Sequence, residues 1–436
     1  MLSGRMNRRR LIGTSALAAA SATTLGSFRS PAAYAQDAVE VTWCSWGNTG
    51  EVANFNNFTD EYNSSQTAVK SKFIHIPTDG YDAKLLTQLS GGTAPDIYYA
   101  GDGQVSTYVK NAVALDLTEL LAGETSKSKP DQFAGDLWGP SKTADGRYFG
   151  VPVDCNPLVL WYNKKLLQDA GITELPADVY EAGGWNWPAF QGMLDKVTES
   201  GKRGLVLGDW WAHRYSWITN NGGTIYADGK YVVNQDPKSI EALQWVADNI
   251  AAEKILFSGG LPEGQGDDAM FMSGQLAFVS MGRWGLPLFR ENTNLEYDIV
   301  PFPTNTGNKI EPSGVAVAYW MMNAKQEHAD EAFQFYTHFV SLEGQNGRLD
   351  TGGNAVPSIV GAEEVVTADD LPEHRQYFLD ARDVGYGPLA LEAGTPGLSD
   401  KLKDLYDKLW LEGGDVQAAV DEIATTADQM IAEAAG

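Results

Sequence analysis

Apolar and polar residues alternate over Val39-Glu40-Val41-Thr42-Trp43, the two-residue period of a half-buried strand. A polar, glycine-containing loop from Trp46 to Gly50 follows and leads into a helix near Glu51–Tyr62. A second strand is predicted at Val69–Ile76. Tyr81, Leu85 and Leu89 then recur at four-residue spacing, one face of a helix that Gly91-Gly92 stops. Pro95-Asp96 precedes a third strand, Ile97-Tyr98-Tyr99. Strand, helix, strand, helix and strand within about 60 residues read as an α/β unit on a parallel sheet. The pattern resumes after an extended crossing near Val151–Trp161. Asp236-Pro237 opens a helix, with aspartate as cap and proline in the first turn, whose inner face holds Ile240, Leu243, Val246 and Ile250. Ala329, Ala332, Phe333, Tyr336 and Val340 form another apolar stripe, and Val416, Val420, Ile423, Ala427 and Met430 a last one. No fixed-period repeat is present, which argues against solenoids and propellers. The expected fold class is α/β, in two lobes joined by extended crossings.

The N-terminus departs from this pattern. Arg8-Arg9-Arg10 stand before a mildly apolar stretch from Leu11 to about Leu25, and Ala33-Tyr34-Ala35 follows as a small-x-small cleavage site. This is the layout of a secretory signal, and the adjacent arginines with weak hydrophobicity point to the twin-arginine route. The stretch falls short of the roughly 20 strongly apolar residues of a membrane span. Residues 1–35 are therefore read as a signal, with a mature start at Gln36 and a periplasmic destination. No cysteine follows the cleavage site, so a lipid anchor is not expected.

About 400 remaining residues exceed one ordinary core and predict two domains. A hydrophobic content of 43 % with 13 tryptophans fits a packed globular chain. The formal charge is -25, and the signal holds five arginines and no acid, so the rest of the chain carries about -30. Nucleic acid and anionic membranes are excluded as partners, because both need basic patches. Cys44 and Cys155 are the two cysteines. Export permits a disulfide between them, two buried thiols are the alternative, and two cysteines alone do not make a four-ligand zinc site. No metal or cofactor is expected.

Several runs then add up to a family. Tyr81-Asp82-Ala83-Lys84-Leu85, followed by Gly91-Gly92-Thr93-Ala94-Pro95-Asp96-Ile97, resembles the helix–Gly–Pro-Asp–strand signature of extracellular sugar-binding proteins of bacterial ABC importers. Trp161-Tyr162-Asn163-Lys164-Lys165-Leu166 with Ala170-Gly171-Ile172, Gly184-Trp185-Asn186-Trp187-Pro188-Ala189-Phe190 and Phe271-Met272-Ser273-Gly274-Gln275-Leu276-Ala277-Phe278 resemble its next segments. Gly282-Arg283-Trp284, Phe302-Pro303, Ser313-Gly314, Gly352-Gly353-Asn354 and Pro357 follow in the same order. The family includes maltodextrin-, trehalose- and glycerol-phosphate-binding proteins. The resemblance implies a clamshell: two discontinuous α/β lobes that close over one ligand by hinge motion. One lobe is expected at 36–154 and 298–335, the other at 155–297 and 336–436. It also implies a mono- or oligosaccharide or polyol phosphate as ligand, an ABC permease as partner, a monomer, and no catalysis.

A sugar offers apolar C–H faces and a rim of hydroxyls, so its site mixes aromatic plates with short polar side chains. Trp46 follows the first strand, at the edge where open α/β sheets bind ligands. Asp102 follows the third strand between two glycines that allow close backbone approach. Asp154 and Asn156 precede the Trp161 segment, and the resemblance implies a ligand contact near Asn156. Trp161 itself alternates within a strand and is read as packing. Trp210 and Trp211 sit side by side after the apolar strand Leu205–Leu207, costly to expose without use. Trp284 matches a family position that stacks on sugar, and Arg283 beside it is a donor to hydroxyls or to an acidic ligand group, or else a structural ion pair. Gly314 offers backbone N–H, and Arg348 and Tyr386 complete the candidates. Enzyme motifs are absent: Gly223 to Lys230 lacks the spacing of a phosphate loop, the five histidines form no metal pattern, and no nucleophile elbow appears. A secreted carbohydrate-active enzyme, with Asp102 and Asp154 as its acids, and a sensor subunit for a membrane receptor are the alternatives.

Overall fold

The computed structural model describes residues 38–133, 135–262, 265–350 and 352–435. The arginine run, the apolar stretch and Ala33-Tyr34-Ala35 lie outside the described residues.

The strands are β1 (Val39–Ser45), β2 (Val69–His75), β3 (Ile97–Gly101), β4 (Gly150–Pro157), β5 (Val159–Asn163), β6 (Arg203–Leu207), β7 (Tyr226–Ala227), β8 (Lys230–Tyr231), β9 (Ile255–Phe257), β10 (Leu276–Met281), β11 (Tyr297–Val300) and β12 (Val315–Met322). They form two five-stranded sheets, in the orders β2-β1-β3-β12-β4 and β11-β5-β10-β6-β9, with β7-β8 as a small ribbon.

Each large sheet has one strand running against the others: β12 in the first, and β5 in the second. Both have the same cause. They are the strands by which the chain enters from the opposite lobe. The other strands end at the edge shared with that lobe, so an incoming strand starts there and must run the other way.

Strand alternation builds the first core on both faces of its sheet. Val41 and Trp43 point to one side and Cys44 to the other; Tyr99 and Trp320 join Trp43, while Tyr98 and Met321 join Cys44. Trp43 packs edge-on against Trp320, and Trp320 stacks on Phe339 of the helix Ala329–Val340 with centroids 4.3 Å apart. The second core centres on Trp161, Phe190, Trp217 and Phe278. Trp161 is fully buried and its indole donates to the Met281 carbonyl at 3.3 Å, the packing role expected for it.

The element boundaries move the expected crossings. β4 keeps Cys155–Pro157 in the first sheet, and Leu158 alone separates it from β5. β11 puts Asp298–Val300 in the second sheet. The helix Ala329–Val340 lies on the first core over its whole length, with Tyr336, Phe339 and Val340 buried there, so 335/336 cuts an intact element. Cys44 and Cys155 are both buried thiols, and the Cys44 sulfur sits 3.5 Å from the Tyr81 hydroxyl. Among the described residues no helix is long and apolar enough to cross a membrane.

Candidate functional site

Because the parallel strands of both sheets end at the shared edge, the loops that follow them meet there. These are Trp46–Glu51 after β1, Asp102–Gln104 after β3, Asp209–Trp211 after β6 and Gly282–Trp284 after β10. Hydrogen bonds among the described residues join the lobes across this edge. The Trp211 indole donates to Asp102 Oδ2 (3.0 Å), the Asn48 amide to the Trp284 carbonyl (2.9 Å), the Arg283 backbone N–H to Asn156 Oδ1 (2.9 Å) and the Gln104 amide to Asp400 Oδ2 (3.2 Å).

At one end Trp210 and Trp211 stand with ring centroids 5.0 Å apart. Trp210 precedes the helix Trp211–Asn220, so the helix start fixes both rings at the lobe border. Between them and the Asp102 loop lies a cavity of about 120 Å³, closed by Gln104, Arg214 and Lys403. A larger hollow, about 240 Å³, is bounded by Leu137, Val315, Ser358 and Gly385 and has no aromatic wall.

At the other end the helix Thr49–Ser65 starts against Trp284. Asn48 caps it through Oδ1, which accepts from the Glu51 N–H (3.0 Å), and Glu51 Oε2 accepts from the Asn48 N–H (2.9 Å). Glu51 Oε1 accepts from Asn354 (3.1 Å). The Gly282-x-Trp284 spacing has a steric reason: a Cβ on Gly282 would lie 2.3 Å from the Trp284 ring and 2.6 Å from the Asn156 Cβ. Trp46 is half-buried, edge-on to Tyr81 and Tyr99 at 5.0 and 5.6 Å.

Trp46, Asp102, Asn156, Trp210, Trp211 and Trp284 are thus brought to one border. Other candidates are spent on the frame. The Arg283 guanidinium, 1 % exposed, donates to the Leu349, Ala355 and Val365 carbonyls and to Asp369 (3.1 Å). It is the structural ion pair. Arg348 pairs with Asp154 at 2.8 Å and also donates to Val153 and Asn354, so both members of that pair are committed to each other. The Gly314 N–H donates to the Ser216 hydroxyl (2.9 Å) and its carbonyl accepts from Leu158, which occupies the backbone groups expected for ligand. Tyr386 bridges to Gly314 through its backbone, and its ring lies 5.9 Å from Trp211, behind the tryptophan pair.

The sequence reading passed over Asn48 and Glu51, although Asn-x-x-Glu before an apolar stripe is a capping signal. It also missed the buried Arg214–Glu392 pair (3.5 Å), whose members lie 178 residues apart and carry no local signal.

Burial pushes the carboxyl groups of Glu51 and Asp102 up to about 7 each; the Asn48 N–H opposes this at Glu51 and the Trp211 indole at Asp102. The folded protein therefore binds protons at these sites more tightly than the unfolded chain does. The cost of burying the charges is present above pH 7 and is relieved as the pH falls toward the unfolded values near 4. The urea midpoint is expected to gain from these groups between pH 8 and 5, and Asp102→Asn to lose part of that gain. Equal slopes for wild type and variant would refute the assignment.

The profile described as "bacterial extracellular solute-binding protein" matches residues 46–346. The chain belongs to this family. Among curated relatives, the solute-binding protein is 28 % identical to the diacetylchitobiose binding protein DasA of Streptomyces coelicolor over 58 % of this chain and 57 % of that protein. It spans little more than half of that relative. It is 24 % identical to the sn-glycerol-3-phosphate-binding periplasmic protein UgpB of Agrobacterium fabrum over 96 % of this chain and 98 % of that protein. An ABC substrate-binding protein of Listeria monocytogenes, solved in complex with cycloalternan, superposes with a TM-score of 0.78 at 19 % identity, covering 91 % of this chain and all of that one. The maltose/maltodextrin-binding domain MalE of Bdellovibrio bacteriovorus, bound to maltotriose, gives 0.70 at 19 % identity, with 90 % and 100 % coverage. At these identities the likeness establishes the fold, a two-lobed clamshell of periplasmic-binding-protein type whose lobes are discontinuous in sequence.

Proposed function

We propose that this solute-binding protein captures a carbohydrate between its lobes and hands it to an ABC importer permease, without chemical change to the ligand. One observation carries the reading: Trp210 and Trp211 from one lobe and the buried carboxyl of Asp102 from the other, joined by the indole of Trp211 at 3.0 Å, line one cavity at the lobe border. An aromatic plate opposite a hydrogen-bonding rim suits a pyranose. Trp284, Trp46 and Asn156 would extend the site along the border. Asp154, the partner of Asp102 in the alternative acid pair, is ion-paired with Arg348 at 2.8 Å, which supports the non-catalytic reading. The relatives are named for diacetylchitobiose and sn-glycerol 3-phosphate, and the MalE domain was solved with maltotriose: saccharides and a polyol phosphate. Export through the N-terminal signal, cleavage near Ala35, a periplasmic location and a monomeric state belong to the same proposal.

Binding should appear as ligand-dependent stabilisation. A saccharide at 100 times its Kd adds about 2.7 kcal/mol to unfolding, with the saccharide recovered unchanged. A broad panel of saccharides and polyols that leaves the melting temperature unmoved would remove the proposal, and new reducing ends in the mixture would replace it with catalysis.

A further inference from the structure

We infer that the cleft is selective against anions: it accepts an uncharged saccharide and rejects a phosphorylated one. This rests on the carbohydrate reading above and narrows it, and it separates this chain from the glycerol-phosphate-binding relative that aligns over almost its full length.

The natural seats for an anion at the lobe border are two helix N-termini, those of Thr49–Ser65 and Trp211–Asn220. The chain fills the first with its own acid and places another at the second. Glu51 lies in the first turn of the former, with its carboxylate bonded back to the cap, and Asp209 immediately precedes the cap of the latter. Among the described residues, the cations nearest these positions already have acid partners. Arg214 is held by Glu392 (3.5 Å) and the Asp209 carbonyl (3.3 Å), and Lys403 by Asp209 (2.9 Å) and Asp407 (2.6 Å). Arg283 and Arg348 are paired with Asp369 and Asp154.

The carboxyl groups, by contrast, exceed the cations around the cavity. Asp82, Asp102 and Asp400 line it beside the two already paired acids, and the side-chain donors to Asp102 and Asp400 are the neutral indole of Trp211 and amide of Gln104. Burial first, and then the neighbouring Asp400 carboxylate, push the Asp82 carboxyl up to about 6. A phosphate entering this cavity would lose its hydration, meet Asp82, Asp102, Asp209 and Asp400, and find both lining cations, Arg214 and Lys403, already ion-paired. A hydroxyl, which donates as well as accepts, meets acceptors suited to it.

The test compares a neutral oligosaccharide with the same saccharide carrying a 6-phosphate, by calorimetry on the mature protein at about pH 8, where Glu51, Asp82 and Asp102 are ionised. The neutral form is expected to bind at least about 100-fold tighter, the scale of like-charge juxtaposition in a desolvated site. Phosphate binding as tight or tighter overturns the inference. The double variant Glu51→Gln/Asp209→Asn should narrow the gap about tenfold; an unchanged gap would show that shape, not charge, excludes phosphate, and overturns it equally. A ligand-free arm reads the same field: the fluorescence difference between wild type and Trp210→Phe should be quenched more by caesium than by iodide. If no saccharide of either kind binds, the carbohydrate reading fails, and this arm alone decides the charge reading, stronger iodide quenching overturning it.

Discussion

Arg348→Ala is expected to cost about 3–5 kcal/mol of stability, the scale on which a buried charge left without its partner destabilises a fold. Arg348 is fully enclosed: its guanidinium meets Asp154 at 2.8 Å, donates to the Val153 carbonyl at 3.0 Å and lies 4.8 Å over the Phe339 ring. Alanine would strand Asp154 in the first core beside Glu51, two carboxyl groups with their cation gone. The urea midpoint reads the loss. Asp154→Leu combined with Arg348→Met replaces the pair by apolar groups of similar size and should recover most of it, because no charge is then buried. A loss below about 1 kcal/mol in Arg348→Ala, or a double variant no better than the single one, would show that the pair does not hold this part of the frame.

Gly50→Ala should weaken ligand binding by about tenfold or more while leaving the unliganded protein as stable as before, or slightly more so. Gly50 sits in the first turn of the helix Thr49–Ser65 on one lobe, and its missing side chain is filled by backbone of the other. A Cβ would lie 2.7 Å from the Pro287 carbonyl carbon and 2.9 Å from the Leu288 nitrogen. Backbone on both sides leaves nothing flexible to yield, so the lobes must stop short of this arrangement. Within its own helix alanine is the better residue, by up to about 1 kcal/mol. The substitution is therefore expected to act on this arrangement of the lobes, and a ligand that binds this arrangement loses the difference as affinity. Calorimetry with a saccharide that stabilises the wild type, together with melting of the unliganded variant, reads both halves. Unchanged affinity would show that the Gly50–Pro287 contact is not part of the bound state. A loss of unliganded stability would show that it acts in both forms.

These two residues mark the limit of what local pattern conveys. The alternation around Trp43, the stripe from Ala329 to Val340 and the stop at Gly91-Gly92 specify their elements because strand and helix periods act over a few residues. Trp210-Trp211 and Trp284 were legible as candidates for the lobe border for a similar reason: each lies in the loop after a strand, and strand ends are where open α/β sheets gather ligand-binding groups. The roles of Arg283 and Arg348 were not legible. A guanidinium reads the same in sequence whether it faces a ligand or three carbonyls, and the acceptors of Arg283 stand 66 to 86 residues away.

What the sequence determined by itself, then, was the alternation of strands and helices, the two-lobed class and the tryptophan-bearing loops. These follow from short-range periodicity and from the order of family motifs. Tertiary structure alone decided which strand of each sheet is reversed, where β4, β11 and the helix Ala329–Val340 belong, which charged groups are paired, and that Gly50 is a contact between lobes. Each of these depends on residues brought together from opposite sides of a crossing, a distance over which no repeat in the sequence carries information.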